Sequence, residues 1–134
     1  GAQFVQELYN GMITQRRCAR VEIPLPVRIR CPDHTLRGTI LDVSLKGILI
    51  DLEVPGSISH DCIAEPLEVQ ILSDPDQTVL VELTARVVRE TDRSLALAWS
   101  SIELDALTHL RELLQYNGVE EHQLSRELSE LLDD

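Results

Sequence analysis

Apolar and polar residues alternate along the first two-thirds of this 134-residue chain with a period of two, and along the last third with a helical period. Val21, Ile23, Leu25, Val27 and Ile29 alternate with Glu22, Pro24, Pro26, Arg28 and Arg30, the pattern of a strand with one wet face. Pro24 and Pro26 share a face and withhold backbone donors, so this strand starts as an edge or an extended lead-in. A turn at Pro32-Asp33 leads to a second strand over residues 36–44, and Gly47 opens a third over 48–54. Pro55-Gly56 breaks the pattern, and residues 55–65 read as a loop. Leu67, Val69 and Ile71 make a fourth strand that ends at Asp74-Pro75-Asp76. Val79, Val81, Leu83, Ala85 and Val87 make a fifth, and Leu95, Leu97 and Trp99 a sixth after a turn at Thr91-Asp92-Arg93. Six short strands without β-α-β alternation predict an antiparallel barrel or sandwich. Leu104, Leu107, Leu110, Leu113 and Leu114 then follow helical spacing up to Asn117-Gly118, and Leu124, Leu128, Leu131 and Leu132 mark a second amphipathic helix. These helices are expected to cover the open end of the barrel. Phe4, Leu8 and Met12 lie four apart, which reads either as a helical lead-in packed on a neighbour or as a lid over the arginines that follow.

A chain of this length buries roughly two-thirds of its unfolded surface as one domain and needs no covalent staples. Cys18, Cys31 and Cys62 are odd in number and lack Cys-x-x-Cys spacing, so no disulfide framework is expected and a reducing, cytoplasmic setting is. No run of about 18 apolar residues is present, so membrane insertion is not expected. Cys31 with His34 and His60 with Cys62 lack a common zinc-finger spacing, so no metal site is expected either. Motifs for a nucleophile elbow, a zinc protease helix, a P-loop or a dinucleotide turn are missing, and no enzymatic activity is expected.

Net charge is −11, which disfavours DNA and RNA, because affinity for polyanions comes mostly from phosphate neutralisation. The distribution changes that picture: residues 1–50 hold seven basic residues against four acidic ones, whereas the remainder holds five against nineteen. Eleven of the twelve basic residues are arginine, which favours planar, bidentate contacts. Arg16, Arg17 and Arg20 fall within five residues and form a cluster of permanently charged donors suited to phosphate oxygens and to the N7/O6 edge of guanine. One hairpin further on, Asp42-Val43-Ser44-Leu45-Lys46-Gly47 supplies a carboxylate that accepts from guanine N1 and N2 hydrogens and a hydroxyl that donates and accepts. Gly47 allows either a positive φ or a close approach to the chain.

Arg16-x-x-x-Arg20 followed by Asp42-x-Ser44-x-x-Gly47 resembles the signature of the PilZ domain, the bacterial receptor module for cyclic di-GMP. The resemblance covers nearly the whole chain and is similar to the compact, single-domain members that end in helices. It implies a six-stranded antiparallel PilZ-type β-barrel over residues 16–102, preceded by a lead-in at 1–15, flexible or helical, and followed by C-terminal α-helices at 103–134 packed on the barrel. It further implies a receptor or adaptor without chemistry of its own and without a cofactor. Arg16, Arg17, Arg20, Asp42, Ser44 and Gly47 would bind cyclic di-GMP, the N-terminal segment would become ordered, and a downstream effector protein would read the new surface. On the fifth strand, Arg86 or Arg89 could stack on a guanine, the plainer reading being a solvated strand face. Trp99 reads as core. The alternative to a receptor is a PilZ-like interaction module that works through protein contacts and no longer binds nucleotide.

Overall fold

The computed structural model describes residues 18–58 and 66–132. Six strands are present: β1 Pro26–Arg30, β2 Thr35–Val43, β3 Gly47–Leu52, β4 Leu67–Leu72, β5 Val79–Glu90 and β6 Ser94–Ser101. They close into a barrel in the order β1-β2-β3-β6-β5-β4, with every pairing antiparallel. Two helices follow, α1 Leu104–Tyr116 and α2 Glu121–Leu132.

Alternation decides which residues face inward. Val27 and Ile29 of β1, Leu36, Ile40 and Val43 of β2, Ile48, Ile50 and Leu52 of β3 and Leu95 and Leu97 of β6 are buried, because strand side chains point to opposite faces in turn and only one face of a barrel is dry. The proline-bearing start is an extended lead-in, as expected: residues 22–25 lie outside the strand, and Val21 makes an isolated antiparallel bridge to Val43. Leu25 returns to the sheet by accepting from the Ile40 amide at 3.0 Å. β2 carries a bulge between Ile40 and Asp42, which re-aims the side chains that follow it.

Gly47 is required for packing rather than for an unusual φ. A Cβ there would sit 2.1 Å from the Leu97 carbonyl oxygen and 3.2 Å from Ala98 Cα, so β3 and β6 reach their register at Gly47↔Ala98 only with a bare α-carbon.

The last third is helical as its spacing predicts, and α1 ends at Asn117, followed by Gly118 at φ 106°. Leu110, Leu114, Val119 and Leu124 join the barrel's apolar cluster, and α1 packs against β5. Arg111 and Gln115 of α1 both donate to the Glu121 carboxylate at the start of α2, tying the two helices together. No helix among the described residues is long and apolar enough to cross a membrane.

One expectation is corrected. Cys31, just after β1, is disulfide-bonded, whereas cysteine number and spacing argue against any disulfide; bonding follows separation in the fold, which spacing along the chain does not report. Cys62, the lead-in at residues 1–15, Arg16 and Arg17 lie outside the described residues. His34 Nδ1 lies 2.6 Å from the Asp33 carboxylate and its Nε2 3.3 Å from the Ser57 carbonyl oxygen, which can only accept, and the described residues contain no group of three or more His, Cys, Asp or Glu able to hold a metal ion.

Candidate functional site

A cleft of about 250 Å³ opens on the barrel wall where β2 turns into β3, with β6 and the end of β5 as its floor and far side. Arg20, Asp42, Ser44 and Gly47 all line it, together with Lys46, Val88 and Arg89. Four of the six residues singled out by the two motifs therefore share one concavity, although a full hairpin separates them in sequence. Arg16 and Arg17 lie outside the described residues.

The meeting is brought about by the backbone. Val21 and Val43 exchange both amide hydrogen bonds at 3.0 Å, which lays the residue after Arg20 directly beside the residue after Asp42. The short connection lies within one residue of where the sequence puts it: β2 runs through Val43 rather than Ser44, so Asp42 sits on the strand and Ser44, Leu45 and Lys46 form the turn. The Ser44 amide donates to the Gly47 carbonyl at 2.9 Å, and the Lys46 amide donates to Ser44 Oγ at 3.1 Å. Leu45 drops into the core at 1% exposed, anchoring the turn so that Ser44 and Lys46 flank the cleft.

Trp99 has a role that its apolar neighbours hide. It is half-buried against the core as expected, but its indole Nε1 donates to the Ser44 carbonyl at 3.0 Å and its amide donates to the Lys46 carbonyl at 3.0 Å. β6 thus grips the turn at both ends. A buried indole N–H needs an acceptor, and here that need fixes the polar turn in place.

Charge within the cleft is mixed. Burial raises the Asp42 carboxyl above its ordinary value, opposed by the nearby Arg20 guanidinium and assisted by Glu22. Arg20, Lys46 and Arg89 contribute cations around this one carboxylate, an arrangement able to take a small anion that also carries hydrogen-bond donors. Arg86 is exposed and does not line the cleft, whereas Arg89 and the exposed Val88 do. The β5–β6 register is irregular between Val87 and Arg89, which puts Arg89 out of the alternation counted from Arg86, and period-two counting cannot anticipate it.

On the other side of the arginine segment, the Ala19 amide donates to Glu127 Oε2 of α2 at 3.0 Å. Cys18 is half-buried beside the same carboxylate, and its thiol is pushed up to about 11, chiefly by burial and then by Glu127.

The family model described as PilZ domain matches residues 14–116. Among solved structures, the PilZ domain of CeSA from a cellulose-synthesizing bacterium is similar at TM-score 0.52 and 23% identity, covering 71% of this chain and 93% of that one. The Bacillus subtilis inhibitor of motility (MotI/DgrA) is similar at TM-score 0.57 and 24% identity over 86% of this chain, which spans 52% of that protein. The PilZ domain of YcgR from Escherichia coli, solved with c-di-GMP, gives TM-score 0.59 and 17% identity over 90% of this chain and 98% of that one. No curated protein sequence matches the chain significantly.

Proposed function

From the premise that the chain belongs to the PilZ domain family, we propose that it is a receptor for cyclic di-GMP. The observation that carries this reading is the single cleft in which Arg20 of one motif meets Asp42, Ser44 and Gly47 of the other. The YcgR domain with the same fold holds c-di-GMP, and this chain carries the side chains that such a ligand needs.

Arg20 serves as a planar donor to a guanine N7/O6 edge or to a phosphate, and Asp42 accepts from N1–H and N2–H on the opposite edge of the base. Ser44 adds a hydroxyl at the rim, and Arg89 and Lys46 add charge toward the phosphates. At about 250 Å³ the cleft is smaller than the usual site for a drug-sized ligand, roughly 300–1,000 Å³. In the proposed mechanism it takes one half of the dinucleotide, and Arg16 and Arg17 hold the remainder. Binding then orders the segment before the barrel, to the extent that the ligand prefers that ordered state. The resulting surface is read by a downstream effector protein, so the molecule acts as an adaptor rather than a catalyst. The barrel, counted from Arg16 to residue 102, is the binding unit, and residues 103–134 are its helical cover.

Isothermal titration with cyclic di-GMP tests this on the native chain and on Arg16→Ala, Arg20→Ala and Asp42→Ala. Each substitution removes a charge-assisted contact worth about 1.5–3 kcal/mol, so affinity should fall by at least about tenfold in each. A native chain that gives no heat at any accessible concentration would leave the interaction-module reading in its place.

A further inference from the structure

Arg20 is exposed at the cleft, yet the backbone on either side of it is pinned. After it, Val21 is bonded in both directions to Val43. Before it, Ala19 is held by Glu127, a residue 108 positions away on α2. The barrel supplies one fixed point and the C-terminal helix the other.

Glu127 is an unusual residue to find in that place. It is 2% exposed, and it falls on the apolar stripe of α2, three residues after Leu124 and four before Leu131, where a leucine would continue the pattern. Its Oε2 accepts from the Ala19 amide and from the Gln123 side-chain amide at 2.9 Å, the Cys18 thiol lies against the same carboxylate, and Oε1 has no hydrogen-bond partner among the described residues. A buried carboxylate with one unpaired oxygen costs stability. What it provides in return is one accurately placed acceptor for the backbone inside the arginine motif.

We propose that Glu127 is a positioning residue for Arg20: by fixing the Ala19 amide it presets the path of the segment so that the Arg20 guanidinium is presented to the cleft. This rests on the reading of the cleft as a cyclic di-GMP site. Holding a binding residue in its bound arrangement raises affinity by lowering the ordering cost. Because coupling of two binding equilibria is reciprocal, occupation of the cleft also tightens the docking of α2 on the barrel.

A double-mutant cycle read by titration with cyclic di-GMP tests the proposal. Glu127→Leu fits the apolar stripe but lacks the acceptor, and should lower affinity about five- to tenfold. Glu127→Gln retains an acceptor oxygen and should bind within about threefold of the native chain. In an Arg20→Ala background, Glu127→Leu should have no further effect, because its route to the ligand has been removed. Native affinity in Glu127→Leu, or an equal loss with and without Arg20, would overturn the assignment while leaving the receptor reading intact; a native chain that does not bind overturns both. Hydrogen exchange on the native protein gives a second arm that needs no variant: the amides of α2 should exchange more slowly with ligand present, and unchanged exchange refutes the coupling.

Discussion

Replacing Trp99 with phenylalanine isolates the grip of β6 on the polar turn. The ring remains aromatic and continues to pack on the core, but the Nε1 donor that reaches the Ser44 carbonyl at 3.0 Å is lost. Ser44 is only 8% exposed, so its carbonyl gains little from water, and an unsatisfied buried acceptor costs about 1–3 kcal/mol. The smaller ring adds little to this, because Trp99 is half-buried and water can fill part of the space. The backbone bond from the Trp99 amide to the Lys46 carbonyl persists, so the turn should loosen at Ser44 without detaching. We expect a denaturation midpoint lower by the equivalent of about 1–3 kcal/mol, followed by far-UV circular dichroism since the variant has no tryptophan left to report. Ligand affinity should also fall, by about three- to tenfold, because the Ser44 hydroxyl of the turn is no longer held beside the Asp42 carboxylate of β2. A variant as stable as the native chain to within about 0.3 kcal/mol, binding equally well, would show that the indole bond carries none of the turn's order.

Gly47→Ala should destabilise the barrel by about 3 kcal/mol, since the added methyl meets strand backbone that cannot step aside, 2.1 Å away at the Leu97 carbonyl. Gly118→Ala is the matched control: its φ of 106° is strained for alanine but nothing lies within 4 Å, so about 1 kcal/mol is expected by urea denaturation, and equal losses at both sites would refute the packing explanation. Affinity should also depend on pH through Asp42. Burial raises its pKa above 3.8 in the free protein, and the ligand needs the ionised form as acceptor, so binding releases a proton below that raised value and weakens as pH falls. The same shift means that Asp42 contributes to folding stability at low pH, a contribution lost as pH rises through the raised value. Titrations between about pH 4 and about pH 7 should show affinity level at the upper end and falling by at most tenfold per unit at the lower; affinity independent of pH throughout would remove Asp42 from the contacts.

The barrel was legible because each strand is wet on one side, which writes a period of two into the residue order, and because turns such as Asp74-Pro75-Asp76 break that period. The joining of Arg20 to Asp42 was implied by the motif resemblance, with which the spacing of one intervening strand and hairpin agrees. Other features depend on contacts between distant parts of the chain and leave weaker traces. Trp99 sits in a run of alternating apolar residues, and that pattern cannot distinguish packing alone from packing with a directed indole bond. Arg89 rather than Arg86 reaches the cleft because β5 is irregular, and an irregularity shifts side chains without changing composition. Glu127 did leave a trace: a carboxylate in step with Leu124 and Leu131 interrupts a stripe that burial would otherwise keep apolar. The Cys31 disulfide left none, because bond formation requires closeness in the fold.

The charge pattern and the geometry together narrow the class of ligand. Arg20, Lys46 and Arg89 gather around a concavity of about 250 Å³, while α1 and α2 each carry more acidic than basic residues and the chain as a whole is at −11. A nucleic acid gains affinity by releasing counterions along many successive phosphates, which needs a basic track rather than a basic point. A strand long enough to leave the cleft would meet a chain that is acidic overall and so gain little from counterion release there. A compact nucleotide can place its phosphates against the few cations and its base edge against Asp42 without touching the acidic surface. The same field that repels polyanions therefore costs the small ligand little, since at physiological ionic strength charges more than about 8 Å away are largely screened. In the proposed receptor, preference for a compact anion over a polyanion would thus follow from where the arginines are confined, and preference for guanine from the contacts proposed for Asp42 and Arg20.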